Sequence, residues 1–355
     1  GVSNTLAQDT ITYFVFTLGL GQLIAGPLAD RFGRRPIAII GILIYAISAL
    51  LAWLATTIEL LLMARLLQGL GACATSVAAF ATTRDLFGPQ RSGRMISYLN
   101  GAICFIPALA PILGSWLTSH FGWRSNFSFM IGFAIVCLVF IISVFKETRP
   151  INTNIQGRLF SPRRYYSVLS QPIFLFHATL CLLAMAVILA YVTSAPNYLM
   201  ETLGLSMNEF TYWFGINAVF NIAASFLAPK LMDKLGTFRA LCIGVWTLIG
   251  AGMLMYLLSS IETAAAFMLP IIISSIGFAL VLGASAGKAL APFGDRAGTA
   301  AALLGLFQMS GASLLVYLMQ RFGLNETSLL TLQMLLLLPC AVLLLSSTAR
   351  SWHNV

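Results

Sequence analysis

Charge is what this sequence has least of: Asp, Glu, Lys and Arg together make up 9% of its 355 residues. A soluble domain carries about a quarter, so water cannot be the main solvent of the folded chain. Signals for chemistry are also scarce. The six cysteines (Cys73, Cys104, Cys137, Cys181, Cys242 and Cys340) all lie inside apolar runs. No pair has metal-site spacing, and buried thiols behave as small hydrophobes; no disulfide, metal site or redox centre is expected. No Ser/His/Asp or Cys/His set has plausible spacing, which argues against an enzyme. Gly1 to Gln8 shows neither the basic stretch nor the short apolar core of a secretory signal. The chain is expected to begin partway through a longer protein.

What is present in quantity is apolar surface: 59% of the residues are hydrophobic and the mean hydropathy is +0.90. Apolar runs of about 20 residues, the length that crosses a hydrocarbon core as a helix, recur along the whole chain. They do not alternate in the ~10-residue pattern of a membrane barrel, and lipid tolerates only helices or closed barrels. The expectation is an all-α membrane protein with eleven spans, near 10–26, 37–55, 58–80, 93–118, 123–145, 171–199, 209–228, 238–259, 263–287, 297–320 and 328–347.

The formal charge of +9 does not point to nucleic acid, because the basic residues sit in short connections between apolar runs rather than on one soluble face. Seventeen of the 20 Lys and Arg fall in alternate connections and the C-terminal tail, against Arg124 and Arg321 on the other side and Arg65 inside a span. Short basic loops stay cytoplasmic. The C-terminus is therefore expected inside and Gly1 outside. The longest connection, Lys146 to Ser170, carries five basic residues against Glu147 and separates five spans from six. This suggests an N-terminal bundle (1–146), a cytoplasmic linker (147–170) and a six-helix C-terminal bundle (171–350). Asp30-Arg31-Phe32-Gly33 after the first span matches Asp233-Lys234-Leu235-Gly236 after the seventh, with Pro27 and Pro229 preceding them. Such a repeat is expected of two related halves. Equal halves would place one further helix before Gly1.

The most specific signal is the run Gly26 to Pro36, with Gly26, Asp30, Arg31, Gly33, Arg34 and Arg35 at its key positions. Gly and Pro suggest a tight turn. Asp30 can face the positive end of a helix, and the arginines can pair with carboxylates such as Asp85. The run resembles the cytoplasmic loop motif of the major facilitator superfamily, which implies that family's fold of two pseudo-symmetric helical bundles. By that resemblance eleven of twelve spans are present and the first helix is absent.

Arg65 lies about 9 Å of helix rise inside its span, a costly position unless it faces a cavity or partner. Gln68 shares its face. The segment Arg65 to Gly71 is similar to the superfamily's fourth-helix motif, whose arginine is associated with proton coupling or substrate contact. Pro107 and Pro111 predict a bend in the next span, similar to the fifth-helix motif of family antiporters. Arg84-Asp85-Leu86, Glu147-Thr148, Ser194-Ala195-Pro196 with Glu201, Asn217 and Gly298-Thr299-Ala300 resemble the Bcr/CflA branch of drug:proton antiporters. That resemblance implies proton-coupled efflux of drug-like or metabolite molecules across a bacterial inner membrane by a multi-pass monomer, with no cofactor. Its partners would be the small-molecule substrate, protons and the lipid bilayer, with no nucleic acid.

Polar and aromatic residues within apolar spans are the candidate cavity lining: Tyr13, Phe16, Arg65, Gln68, Asn100, Tyr191, Asn217, Asn221 and Gln308. All eleven acidic residues lie at span ends or in loops, so no proton carrier is visible at mid-membrane. Arginine essentially never releases its proton. His177 titrates in a useful range, but it lies near a span end and reads as a packed or interfacial residue. Two other functions remain open on sequence alone: proton-coupled uptake of a metabolite such as a nucleobase or nucleoside, and a non-transporting receptor or scaffold.

Overall fold

The computed structural model describes residues 4–149 and 162–346; for 4–5, 84, 88–105, 107–109, 111, 163–164 and 294–298 only the backbone is described. The side chains of Arg84, Asn100, Pro107 and Pro111, most of the linker and the C-terminal tail therefore lie outside it. In lipid every backbone N–H and C=O must find its partner within the chain, and the regular structure of the described residues is all helical, with no strand. The helices are α1 (Asn4–Phe32), α2 (Arg34–Leu54), α3 (Ile58–Phe121), α4 (Arg124–Val144), α5 (Pro162–Leu169), α6 (Pro172–Pro196), α7 (Met207–Leu235), α8 (Thr237–Leu258) and α9 (Ala264–Leu290). They are followed by α10 (Ala297–Gly305), α11 (Ala312–Gln320), α12 (Glu326–Leu335) and α13 (Leu338–Leu345). Among the described residues ten helices are long and apolar enough to cross a membrane.

The eleventh expected span, 93–118, does not stand alone. It runs on from 58–80 in one helical stretch of 64 residues, so the expected connection between them is itself helical. A straight helix of that length would measure about 96 Å. Its contacts exclude that shape. Ile58 follows Ala55 closely, and the Ala55 carbonyl accepts from Arg124, just past the other end of α3, at 2.7 Å. Ser125 in turn donates to the carbonyl of Leu117 at 3.0 Å. Asp85 instead meets Arg34, at the opposite end of α2. α3 therefore folds back on itself, and its two legs cross the same layer in opposite directions.

Four helices are capped at the end of the molecule where α3 begins. Thr57, Ser206, Thr263 and Asn325 each accept a backbone N–H from the first turn of their helix, and Ser206 completes a capping box with Glu209. The ends that carry Arg34 and Thr237 are built differently. Each of those helices starts after a glycine with positive φ, Gly33 (+106°) and Gly236 (+85°). The expected turn at Gly26-Pro27 is not formed: Pro27 lies within α1, as Pro229 lies within α7. Each helix continues to the residue before its glycine, and the glycine alone makes the break. No side chain with a Cβ adopts that backbone cheaply.

The sequence repeat has a packing counterpart. An added Cβ on Gly71 would stand 2.7 Å from the carbonyl of Gly41, and one on Gly277 would stand 2.8 Å from that of Gly244. Two glycines thus let α2 meet the first leg of α3, and two others let α8 meet α9, by the small-residue packing that lipid favours. Large apolar side chains such as Val136, Phe140, Leu257 and Val342 point outward. In a soluble protein these would be liabilities; in a bilayer they are the solvated surface.

Candidate functional site

The residues of the Gly26 to Pro36 run converge on one buried guanidinium. Arg34 is 3% exposed. Its Nε donates to Asp85 at 2.8 Å, and its Nη1 donates to Asp30 at 2.8 Å and to the Ala29 carbonyl at 2.6 Å. The pairing with Asp85 is the expected one. Asp30 behaves differently from expectation: it serves Arg34 within α1, and the positive N-terminus of α2 is met by Glu147. The carboxylate of Glu147 accepts from the backbone N–H groups of Arg34 at 2.9 Å and Arg35 at 3.1 Å, and from those of Thr148 and Arg149. Partial burial pushes its carboxyl up, but these four donors outweigh that and hold it below the usual glutamate range. Arg35 also donates to the Ile142 carbonyl, and Arg149 to that of Arg31. Helices α1, α2, α3 and the segment after α4 are thereby tied together at one end, here called the basic end. A cavity of about 430 Å³ lies beside it, lined by Arg35, Pro36, Ile39, Ile40 and Glu147.

Arg65 lies toward the other end of α3's first leg, and its head group meets three partners. Its Nε donates to the Thr10 carbonyl at 3.0 Å, its Nη1 donates to Gln68, and its guanidinium sits 4.6 Å over the ring of Phe14. Gln68 is buried and donates onward to the Met130 sulfur at 3.4 Å. Tyr45 of α2 lies within reach of both Arg65 and Gln68. A desolvated arginine is tolerable here because a ring face, a carbonyl and an amide oxygen replace water. The arrangement is a polar centre shared by α1, α2, α3 and α4. A guanidinium snorkelling to the interface would not point inward in this way.

A second polar centre lies among the later helices. Ser275 of α9 donates to Asn217 of α7 at 2.9 Å, both buried. Tyr191 of α6 stacks on Phe214 at 5.2 Å with its hydroxyl beside Asn217. Asn221 lies one turn further along α7, where its carbonyl accepts from Ser225. Gln308 stands apart, next to the Cys181 thiol, inside a π-helical stretch from Leu306 to Gly311. His177 is fully buried with its ring edge-to-face on Phe176, in keeping with a packed histidine. A second cavity, of about 460 Å³, is lined by Trp53, Leu117, Phe121, Arg124, Ser125, Ser128 and Phe129. Among the described side chains, none of the expected cavity residues lines either cavity.

The π stretch carries the seam between the early and late helices. Ser310 donates across it to the Phe16 carbonyl at 2.6 Å, and Gly19 lets α1 come within contact of Ser310 and Met309. Single π turns inside helices commonly mark functional positions. At the end opposite the basic one, Arg321 donates to Asp9 at 2.6 Å, and Tyr317 lies 6.1 Å from Tyr13. Sequence reading passed over Glu147 as a gate residue, and over Ser275, Ser310, Asp9 and Arg321. Glu147 carried a usable signal, as the one acid at the head of a basic connection; the others become visible only once distant helices are brought together.

The profile of the Major Facilitator Superfamily matches residues 1–316. Multidrug resistance protein MdtL of Citrobacter koseri is 33% identical over 326 residues, covering 91% of this chain and 82% of that protein. The protein of the same name from Escherichia coli O139:H28 is 34% identical over 328 residues with the same coverage. Among solved structures, a D-xylose-proton symporter aligns with a TM-score of 0.74 at 18% identity, covering 98% of this chain and 89% of that one. The human organic anion transporter MFSD10 aligns at 0.66 and 17% identity, covering 95% and 83%. The structural likenesses establish the fold, and the sequence matches establish the family: this chain belongs to the Major Facilitator Superfamily, a family of membrane transporters.

Proposed function

We propose that the protein exports drug-like or metabolite small molecules across a bacterial inner membrane in exchange for protons, as a member of the Bcr/CflA-like branch of drug:proton antiporters. The observation that carries this reading is the identity of 33–34% over 91% of the chain with proteins named for multidrug resistance. The basic end faces the cytoplasm, as the distribution of Lys and Arg argues, and the C-terminus lies on that side.

In this reading two bundles, 1–146 and 171–350, rock about the seam between α1 and the π stretch and expose a central site to one side at a time. The cluster around Arg34 keeps the basic end of the first bundle rigid, so that the bundle moves as one body. Substrate is met between the Arg65–Gln68 centre and the Tyr191–Asn217 centre, with Asn100, Asn221 and Gln308 completing the lining; Pro107 and Pro111 bend the intervening helix. Rings and isolated amides in apolar walls suit amphipathic molecules. Arg65 cannot carry the proton; it fixes the electrostatics of the site. The working unit is the monomer.

Everted vesicles containing the full-length protein provide the test. Addition of a substrate should collapse part of an established pH gradient, and Arg65→Ala should abolish the response. Absence of any response across a broad panel of cationic, neutral and zwitterionic compounds would refute proton-coupled export.

A further inference from the structure

We propose that Asp9 is a proton-binding site and that, with Arg321, it forms a pH-operated latch holding the two halves of the protein together at the end opposite the basic cluster. The proposal rests on the orientation given above, in which that end faces outward.

The geometry is specific. Asp9 lies on α1, 21 residues before Asp30 and hence about 32 Å away along the helix. It is 1% exposed. Its Oδ2 receives Arg321 at 2.6 Å across 312 residues of sequence, while its Oδ1 is buried with no hydrogen-bond partner. Arg321, just past the end of α11, is 39% exposed and stacks 4.6 Å over the ring of Tyr317. Tyr317 in turn packs against Tyr13, one turn below Asp9. The pair thus has one member in the interior and the other at the surface, a route by which a proton can reach the acid.

The remaining charged groups leave Asp9 dependent on this one partner. Arg321, just past α11, faces it, as does Tyr13 from its own helix; Tyr317 contacts Tyr13 and Arg321. Arg65 of α3, which contacts the same helix at Thr10, is engaged by the Thr10 carbonyl, Gln68 and Phe14. A buried ion pair holds only while both charges are present, and loss of one strands the other. When a proton from outer water binds Asp9, its carboxyl becomes neutral. Arg321 keeps its charge, loses its counter-ion and turns to solvent. The bond across the seam is then gone, and the outer end can part. Acid on the outer side therefore favours the outward-open state.

The test needs no substrate, so its outcome is separate from that of the export assay. Spin labels on Ala7→Cys and Phe322→Cys of the full-length protein, both at exposed positions, report the width of the outer end by pulsed electron resonance. Two conditions, about pH 8 and about pH 5.5, compare a proton-poor with a proton-rich outer solution. The expected result is one short distance at the higher pH and a longer population that grows at least about threefold at the lower. Asp9→Asn should show the longer population at both values, and so should Arg321→Gln, which leaves the acid in place. Asp9→Glu should keep a pH response. An unchanged distance in the parent protein, or a parent-like response in Asp9→Asn or in Arg321→Gln, would overturn the proposal. Because either neutral variant suffices, misfolding of one leaves the other as the test.

Discussion

The two glycine-ended junctions, Gly33 between α1 and α2 and Gly236 between α7 and α8, share a backbone and differ in nearly everything attached to it. Both glycines take a positive φ, both accept the end of a proline-containing helix, and both start a helix without a side-chain cap of its own. At the first junction Arg34 is buried between Asp85 and Asp30, and Glu147 covers the helix start. At the second, Asp233, Lys234 and Arg239 form no ion pair among the described residues. The repeat thus preserved the shape of the turn and equipped only one copy. A fold needs the turn twice; a rigid basic end needs the charge cluster once.

Substitutions at matched positions can break that comparison. The largest effect is expected for Arg34→Ala, which leaves Asp85 buried without its partner. Such a loss costs about 3–5 kcal/mol, visible as a fall in the melting temperature of the solubilised protein. Gly33→Ala comes next: its backbone strain of about 1–3 kcal/mol is compounded because the new Cβ would run into the Glu147 carboxylate. Gly236→Ala bears the backbone strain alone, since nothing lies within 4 Å of the added carbon, and should melt measurably higher than Gly33→Ala.

Glu147→Gln should cost on the order of 1 kcal/mol, a modest figure because the group is exposed. Its signature is in pH. The folded carboxyl is held below its ordinary value, so its stabilisation is complete above the unfolded pKa of about 4.3. That contribution is lost as pH falls through the folded value. The melting-temperature gap between parent and variant should therefore be constant from neutral pH down to about 5 and close below about 4. Arg239→Ala should be smallest, within about 0.5 kcal/mol of the parent. A loss there as large as that of Arg34→Ala would erase the distinction between the two junctions.

The sequence announced the membrane spans because lipid demands long apolar runs whatever the tertiary fold. It suggested Asp85 as a partner for the motif's arginines, and the fold selects Arg34 among them. It also located the matched junctions, yet misplaced the first turn: the Gly26-Pro27 pair suggested a break that α1 does not make, since a proline removes one helical hydrogen bond without ending the helix. The close approach of Gly41 to Gly71, and its counterpart at Gly244 and Gly277, needed helix pairings that no local pattern encodes. Asp9 looked like an ordinary span-end acid. It pairs with Arg321, more than 300 residues away, and only the folded seam brings the two together. The candidate substrate residues were legible as polar positions, whereas their division into an early and a late centre was not.

The central claim, transport of small molecules coupled to proton movement, is tested most directly in proteoliposomes holding the full-length protein and an acidic lumen. A labelled cationic drug identified as a substrate should accumulate inside against its own gradient, and collapse of the pH difference should release it. Equilibration to equal concentrations with and without the pH difference would contradict the account.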